Sequence, residues 1–446
     1  MVLQLSQKIE KSFFLIIASI PIFFIIGSAI LNISIFLLNI FFFIHIFINK
    51  NFMFFEENKK YFILIVIFLI YQILNNLINQ NYIYFDKSIY YVRFITLPMI
   101  FKYFFQRTEI NFNNLSRVYL FLILFVIFDL IFQFHFDVNI FGFKPGLYNI
   151  EENLYERYAG VFNQELILGS YLSSIGFLCI CLFYFFNYKN KNVFFCLLGI
   201  LFFAIFLTGE RSSLLNLLIS IFFIFLLVKE FRKSLIIIFL FIFIISSIGI
   251  NFSETLKLRY FDYPIKVLSK KTFKDSDNKE IYFSNIKVSH AYSEFINSTH
   301  WGMHYRTAGA MFLEKPINGF GFKQFRIKCR DFKYLFANEK NLLERAATTD
   351  GCSTHPHHYF LELLSEQGII GLAIFFSFII YILKDSFNNI NNKTYLLIIF
   401  SIVIGIIFPI KPTGSIISTW FSSILWIMLS YTYIKNMTNK KNKVKL

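Results

Sequence analysis

The sequence predicts an all-α polytopic membrane protein of about 12 transmembrane helices, with one large, mostly helical loop domain on the outer (periplasmic) side. Composition is the first observation behind this. The 446 residues are 56% hydrophobic and include 64 Phe, while charged residues make up only 16%; an average soluble chain carries about a quarter. The second is patterning. The apolar residues fall in unbroken blocks of roughly 20, the length that crosses a bilayer, rather than at amphipathic spacing. Lipid offers no partner to a bare backbone, so such blocks must be helices packed as a bundle. The third is the alternation of charge between successive loops.

In chain order the expected spans are 13–30, 32–48, 61–78, 88–105, 115–136, 165–186, 193–208, 212–228, 234–250, 359–383, 395–410 and 415–434. The first two are nearly continuous, broken only around Asn32. Lys8 and Lys11 precede the first span with no small-residue cleavage site after it, so it is expected to stay as a span rather than leave as a signal peptide. Basic residues recur in every second loop: Lys50, Lys59 and Lys60; Lys102, Arg107 and Arg117; Lys189 and Lys191; Lys229, Arg232 and Lys233; Lys384 and Lys393; and a tail from Lys435. The opposite short loops hold little beyond Lys87, Arg211 and Lys411. The positive-inside rule therefore puts both termini in the cytoplasm. Three regions follow: spans one to nine over 1–250, a large outer loop domain over 251–358, and spans ten to twelve with a basic tail over 359–446.

The net charge of +16 would suggest nucleic acid in a soluble chain. Here orientation accounts for the basic loops, and no nucleic-acid partner is expected. Cys179, Cys181 and Cys196 lie in spans as small apolar fillers. Cys329 and Cys352 lie in the outer loop, where a disulfide and two free thiols are both open.

Six of the eight histidines, His290, His300, His304, His355, His357 and His358, fall in the long outer loop. Histidine exchanges protons near neutral pH without perturbation. The sharpest element is Thr354-His355-Pro356-His357-His358-Tyr359, which leads into Leu361, Glu362 and then Glu366-Gln367-Gly368-Ile369-Ile370-Gly371. Ser353 or Thr354 is expected to cap the tenth span, with Pro356 in its first turn. The positive end of that helix would keep an imidazole neutral, as a base requires, and its free amides would suit an anion. The alternatives are interfacial histidines of no chemical role, or a zinc site, for which no carboxylate or thiol partner is evident.

Thr208-Gly209-Glu210-Arg211-Ser212-Ser213 makes a tight outer turn between spans seven and eight. A guanidinium held at the membrane surface is costly without a partner, and its fork matches a phosphate; an interface anchor is the plain alternative. Tyr305-Arg306-Thr307 opens a short amphipathic helix over about 304–314, ended by Lys315-Pro316 and followed by the Gly-rich Pro316-Ile317-Asn318-Gly319-Phe320-Gly321. These glycines lack the strand and Lys-Ser/Thr of a nucleotide loop. Arg306 either faces a membrane-side site or is solvated. Arg157, in Arg157-Tyr158-Ala159-Gly160-Val161-Phe162, ends the shorter outer loop as a third cation. Arg93 and Asp129, at similar depth inside spans four and five, are expected to pair with each other.

As an ordered set over residues 155–385, these elements resemble the O-antigen ligase and polymerase superfamily of bacterial membrane glycosyltransferases. The elements are the Arg-x-x-Gly-x-Phe entry at Arg157, the Gly-x-Arg turn at Gly209 to Arg211, the Arg306 helix leading into Pro-x-x-Gly-x-Gly at Pro316 to Gly321, and the His-Pro-His helix start with its Glu-x-Gly-Ile-Ile-Gly continuation. The family commonly has Asn or Ser after its key histidine, where this chain has His358. His357 is favoured over His355 as the acting imidazole.

The resemblance implies a multi-pass protein of the bacterial inner membrane with its active site on the periplasmic face. The donor would be a glycan on undecaprenyl diphosphate, and the acceptor the sugar hydroxyl of a glycan or of lipid A-core. No cofactor and no metal is implied. His357, Arg211 and Arg306 would be catalytic: the arginines would neutralise the diphosphate leaving group and His357 would orient or deprotonate the attacking hydroxyl. Arg157, Glu210, His355 and His358 would bind substrate. Ligase and repeat-unit polymerase share these motifs. A transporter or flippase is the alternative from another class, and would place its polar residues near the bilayer midplane, not at the outer surface.

Overall fold

The computed structural model describes residues 2–107, 110–150, 153–187, 189–262, 300–330 and 352–434. His290 and most of the expected loop domain lie outside them, as does the basic tail from Lys435. The described chain is helical apart from one short antiparallel hairpin, Gly146–Ile150 with Asn153–Arg157, in which Gly146 pairs with Arg157.

Seven helices are long and apolar enough to cross a membrane: Leu3–Ile26, Ser28–Ile48, Lys59–Ile78, Phe112–Phe136, Leu168–Phe186, Lys229–Gly249 and Tyr359–Asn389. The chain is thus a multi-pass membrane protein. The other five expected spans are shorter or broken. Lys191–Leu207, Arg211–Leu227 and Lys393–Ile407 are apolar helices of at most 17 residues, and Thr419–Tyr431 has 13. The expected fourth span is divided into Phe85–Tyr90, Val92–Ile95 and Leu97–Arg107. The break between the first two spans falls at Gly27 (φ 127°), not at Asn32.

Burial follows from whether a helix faces lipid or its neighbours. Outward residues such as Phe121, Ile237 and Phe243 are exposed apolar side chains, as a bilayer allows. Leu168–Phe186 is buried along most of its length and carries a π-turn at Leu172–Gly176, where Gly176 packs on Leu201 and Ile123. The expected Arg93–Asp129 pair does not form. Asp129 accepts from Asn139 Nδ2 (3.2 Å) and the Ile140 amide (3.0 Å), whereas Arg93 donates to Asn32 Oδ1 (2.9 Å) and Tyr90 O (2.6 Å). Similar depth on neighbouring spans did not bring the two together, because each found nearer local partners.

Candidate active site

Two motifs far apart in sequence meet inside the helix Tyr359–Asn389. That helix is interrupted at Gly368, whose backbone is left-handed and extended (φ 60°, ψ −168°). A break strands backbone groups, and buried ones must find partners. The Pro316–Gly321 loop supplies them: the Phe320 amide donates to Ser365 O (3.0 Å), Gly321 N to Glu366 O (2.7 Å), Ile369 N to Pro316 O (2.9 Å) and Ile370 N to Ile317 O (3.2 Å). Close approach demands glycine on both sides. A Cβ at Gly319 would lie 2.4 Å from the Glu366 carbonyl carbon, and one at Gly368 2.3 Å from Ile317 O. Glu366, buried, then holds the outgoing loop by accepting from Lys323 N (2.6 Å) and Phe325 N (3.1 Å).

The sequence reading missed the third party to this junction, the polar face of Lys59–Ile78. Gln72, Asn75, Asn76 and Asn79 recur at helical spacing along one side. Gln72 Nε2 donates to Gln367 Oε1 (2.8 Å), Tyr71 OH to Gln367 O, Asn318 Nδ2 to Asn75 Oδ1 (3.3 Å) and Lys315 Nζ to Asn79 Oδ1 (2.8 Å). Asn81, just beyond, donates to Phe322 O (2.9 Å). An amide stripe inside an otherwise apolar span was the available signal, since polar groups in a membrane helix face the protein interior.

The broken helix presents the histidine turn at its start. The expected cap at Ser353 or Thr354 is displaced. The N-cap is His358, whose Nδ1 accepts from Leu361 N (3.2 Å), and Pro356 lies ahead of the helix. The proline-histidine pair forces an irregular approach, and His357 sits in the left-handed region (φ 54°), a conformation that costs a non-glycine residue about 1 kcal/mol and needs surrounding structure to hold it. That structure comes from two sides. Tyr305 OH donates to His357 O (3.4 Å) from the helix His300–Glu314, and Thr413 N donates to the same oxygen (2.8 Å). Around it the rings gather: His357 lies 4.0 Å from His355, 5.5 Å from His304 and 4.5 Å from Trp301, centroid to centroid.

Burial, with the nearby Arg326 charge and then His304, pushes His355 down to about 4, and burial likewise lowers His358. Both imidazoles are therefore neutral at physiological pH. Neutral burial has a stability consequence. Below its usual value near 6.5, His355 takes up a proton when the chain unfolds but not while it is folded. Stability conferred by the neutral ring is thus complete above pH 6.5 and lost as pH falls toward 4. The melting temperature is expected to fall over that window, and His355→Asn to flatten the fall; an unchanged profile in the variant would place the titrating group elsewhere.

A second group forms at the Thr208–Ser213 turn. Gly209 (φ 69°) and the N-cap Glu210 start the helix Arg211–Leu227. Glu210, read from sequence as substrate-binding, has its carboxylate committed to the protein: it accepts from Gly169 N (2.9 Å), Ser170 N (3.2 Å) and Ser213 Oγ (2.7 Å), and lies 3.7 Å from Arg157 NH2. Burial raises its pKa against the pull of Arg157 and these bonds. Arg259, which nothing in its local sequence marks, donates from Nε to Gly209 O (2.7 Å) while its Cδ comes within 2.9 Å of a Cβ position on that glycine. Arg157 beside Glu210 and Arg259 on the Gly209 carbonyl both flank the start of the helix that opens at Arg211, so three guanidiniums and one carboxylate share one region.

Of the sequence-predicted residues, His355, His357 and His358 therefore stand together in one turn, and Arg157, Glu210 and Arg211 around another. Arg306, half-buried, follows His304 by two residues on the same helix, which turns it about 200° away from that ring. Among the described residues no group of three or more His, Cys, Asp or Glu is placed to hold a metal ion. Cys329 is buried in a small apolar cluster with Ala308, Met311, Phe320 and Phe325, against which Cys352 packs.

No curated protein matches the chain. The broken-helix junction, the histidine turn and the Gly209–Arg211 turn nevertheless fall within one matched stretch: residues 194–376 match the model of the O-antigen ligase family.

Proposed function

We infer that this protein is a membrane glycosyltransferase that moves a glycan from undecaprenyl diphosphate to a sugar hydroxyl at the periplasmic face of the inner membrane. The observation that carries the reading is the built histidine turn: within the O-antigen ligase match, a strained His357 is held between two segments with neutral imidazoles beside it. Glycosyl transfer to a hydroxyl needs a neutral base near the attacking oxygen and cations near the departing diphosphate. His357 takes the first role. Arg211, with Arg306, takes the second; Arg157 and Arg259 extend the positive region, and Glu210 fixes the turn that presents Arg211. His355 and His358 line the acceptor side. The diphosphate carries its own negative charge, so electrostatic stabilisation replaces a proton donor at the leaving group. The ligase form, with lipid A-core as acceptor, is the reading adopted, in keeping with the family description.

A deletion strain tests it through the electrophoretic ladder of its surface glycan. A ligase deletion is expected to leave core without any attached repeat. Core capped by a single repeat would instead identify a repeat-unit polymerase, and an unchanged ladder would end the assignment.

A further inference from the structure

One charged side chain outside the residues used so far is buried without compensation. Lys411 lies between the helices Lys393–Ile407 and Thr419–Tyr431, in a segment stitched along its length to the histidine turn and the helix beyond it. Pro409 O meets His358 Nε2 at 2.6 Å, the Tyr359 amide donates to Thr413 Oγ1 (3.1 Å), Ser415 Oγ donates to Glu362 Oε1 (2.5 Å) and Ile416 N to Glu362 Oε2 (2.9 Å). Its neighbour Ile410 is 76% exposed, whereas Lys411 itself is only 6% exposed. Among the described residues it makes no hydrogen bond and no ion pair. Glu362, the acid on the adjoining helix, is already occupied by Ser415 and Ile416. Burial alone pulls the ammonium down to about 8, with no acid opposing it, and its charge reaches His358. A lysine so largely buried with no counter-charge in the protein is unfavourable, and an apolar chain of the same length would pack there at lower cost.

We propose that Lys411 is a ligand-binding cation, its ammonium taking a phosphate oxygen beside the histidine turn. A compact ammonium with three donors suits a point contact to one such oxygen, where an arginine fork would need a wider opening. The proposal rests on the donor reading above and deepens it, since it places a diphosphate oxygen within reach of the turn that holds His357. An anionic group on the acceptor offers the same chemistry, and the experiment separates the two sources.

Full-length protein in nanodiscs would be titrated with undecaprenyl diphosphate, and separately with phosphorylated core oligosaccharide. Lys411→Met is expected to weaken undecaprenyl diphosphate at least tenfold and Lys411→Arg by about threefold or less, with core affinity unchanged. Unliganded Lys411→Met is expected to melt at or above the wild-type temperature, because an uncompensated charge has been removed. Wild-type diphosphate affinity in Lys411→Met, or a loss confined to the core oligosaccharide, overturns the assignment to the donor, as does a fall in unliganded stability, which would mark a structural lysine. If Arg211→Ala loses diphosphate binding while Lys411→Met keeps it, only this inference fails. If the wild type binds no undecaprenyl diphosphate, the donor reading fails and takes this inference with it.

Discussion

Replacing His357 by alanine is expected to lower the rate of glycan transfer by roughly 10²–10⁴-fold, the range a positioned general base contributes. The protein should still accumulate in the membrane. The ring is the centre of the histidine group, while the bonds from Tyr305 and Thr413 go to the His357 carbonyl, which alanine keeps. Alanine pays about the same left-handed backbone cost as histidine, so any change in melting temperature should be small beside the loss of rate. The measurement is transfer from an undecaprenyl-diphosphate-linked glycan in proteoliposomes, alongside membrane levels. His355→Ala is expected to cost less, about tenfold. If His355→Ala proves the more damaging, the base is His355; if neither lowers the rate, the imidazole group is not catalytic.

Gly368→Val is expected to prevent accumulation of folded protein, and Gly319→Val to do nearly the same. Both positions combine a left-handed backbone with a close contact. At Gly368 a Cβ would lie 2.3 Å from Ile317 O, and at Gly319 2.4 and 2.6 Å from Glu366 and Gln367 backbone atoms. Neither neighbour can yield, because each belongs to the four-bond junction that satisfies the broken helix. Left-handed strain in a β-branched residue together with overpacking costs on the order of 3–5 kcal/mol, a large share of a typical total stability. Gly309 is the control. It lies in the helix His300–Glu314 with nothing within 4 Å of a Cβ, and Gly309→Ala should raise stability by roughly 0.5–1 kcal/mol. Monodisperse yield and melting temperature of the three variants decide the matter; wild-type yield from Gly368→Val would refute the junction.

The junction explains a feature of the sequence that periodicity leaves open. Over 359–383 the residues read as one span. In the structure the segment before Gly368 is a short helix that carries Glu362 and Glu366 into loop contacts, and Ile369–Asn389 alone is long enough to cross about 30 Å of hydrocarbon. Glu362 and Glu366 are buried, at 2% and 1% exposure; what they do is hold the segments around 323–325 and 415–416, by three backbone amides and the Ser415 hydroxyl. Their acidity thus serves to fix the loops that frame the histidine turn.

Local pattern alone was enough for the membrane class, the helical content, a helix over about 304–314, and the motifs that fall in the matched O-antigen ligase stretch. These are local or additive properties: hydrophobic length sets a span, and a glycine-rich stretch after Lys-Pro must end a helix wherever it lies. Long-range packing settled that Asp129 and Arg93 find separate partners, that His358 rather than Ser353 or Thr354 caps the helix from Tyr359, and that Arg259 and Lys411 stand beside the two turns. Those outcomes depend on which backbone groups a break leaves unsatisfied and on which distant segment satisfies them. Residue spacing carries no record of that pairing, because the partners lie far apart, as Gln72 and Gln367 do at 295 residues.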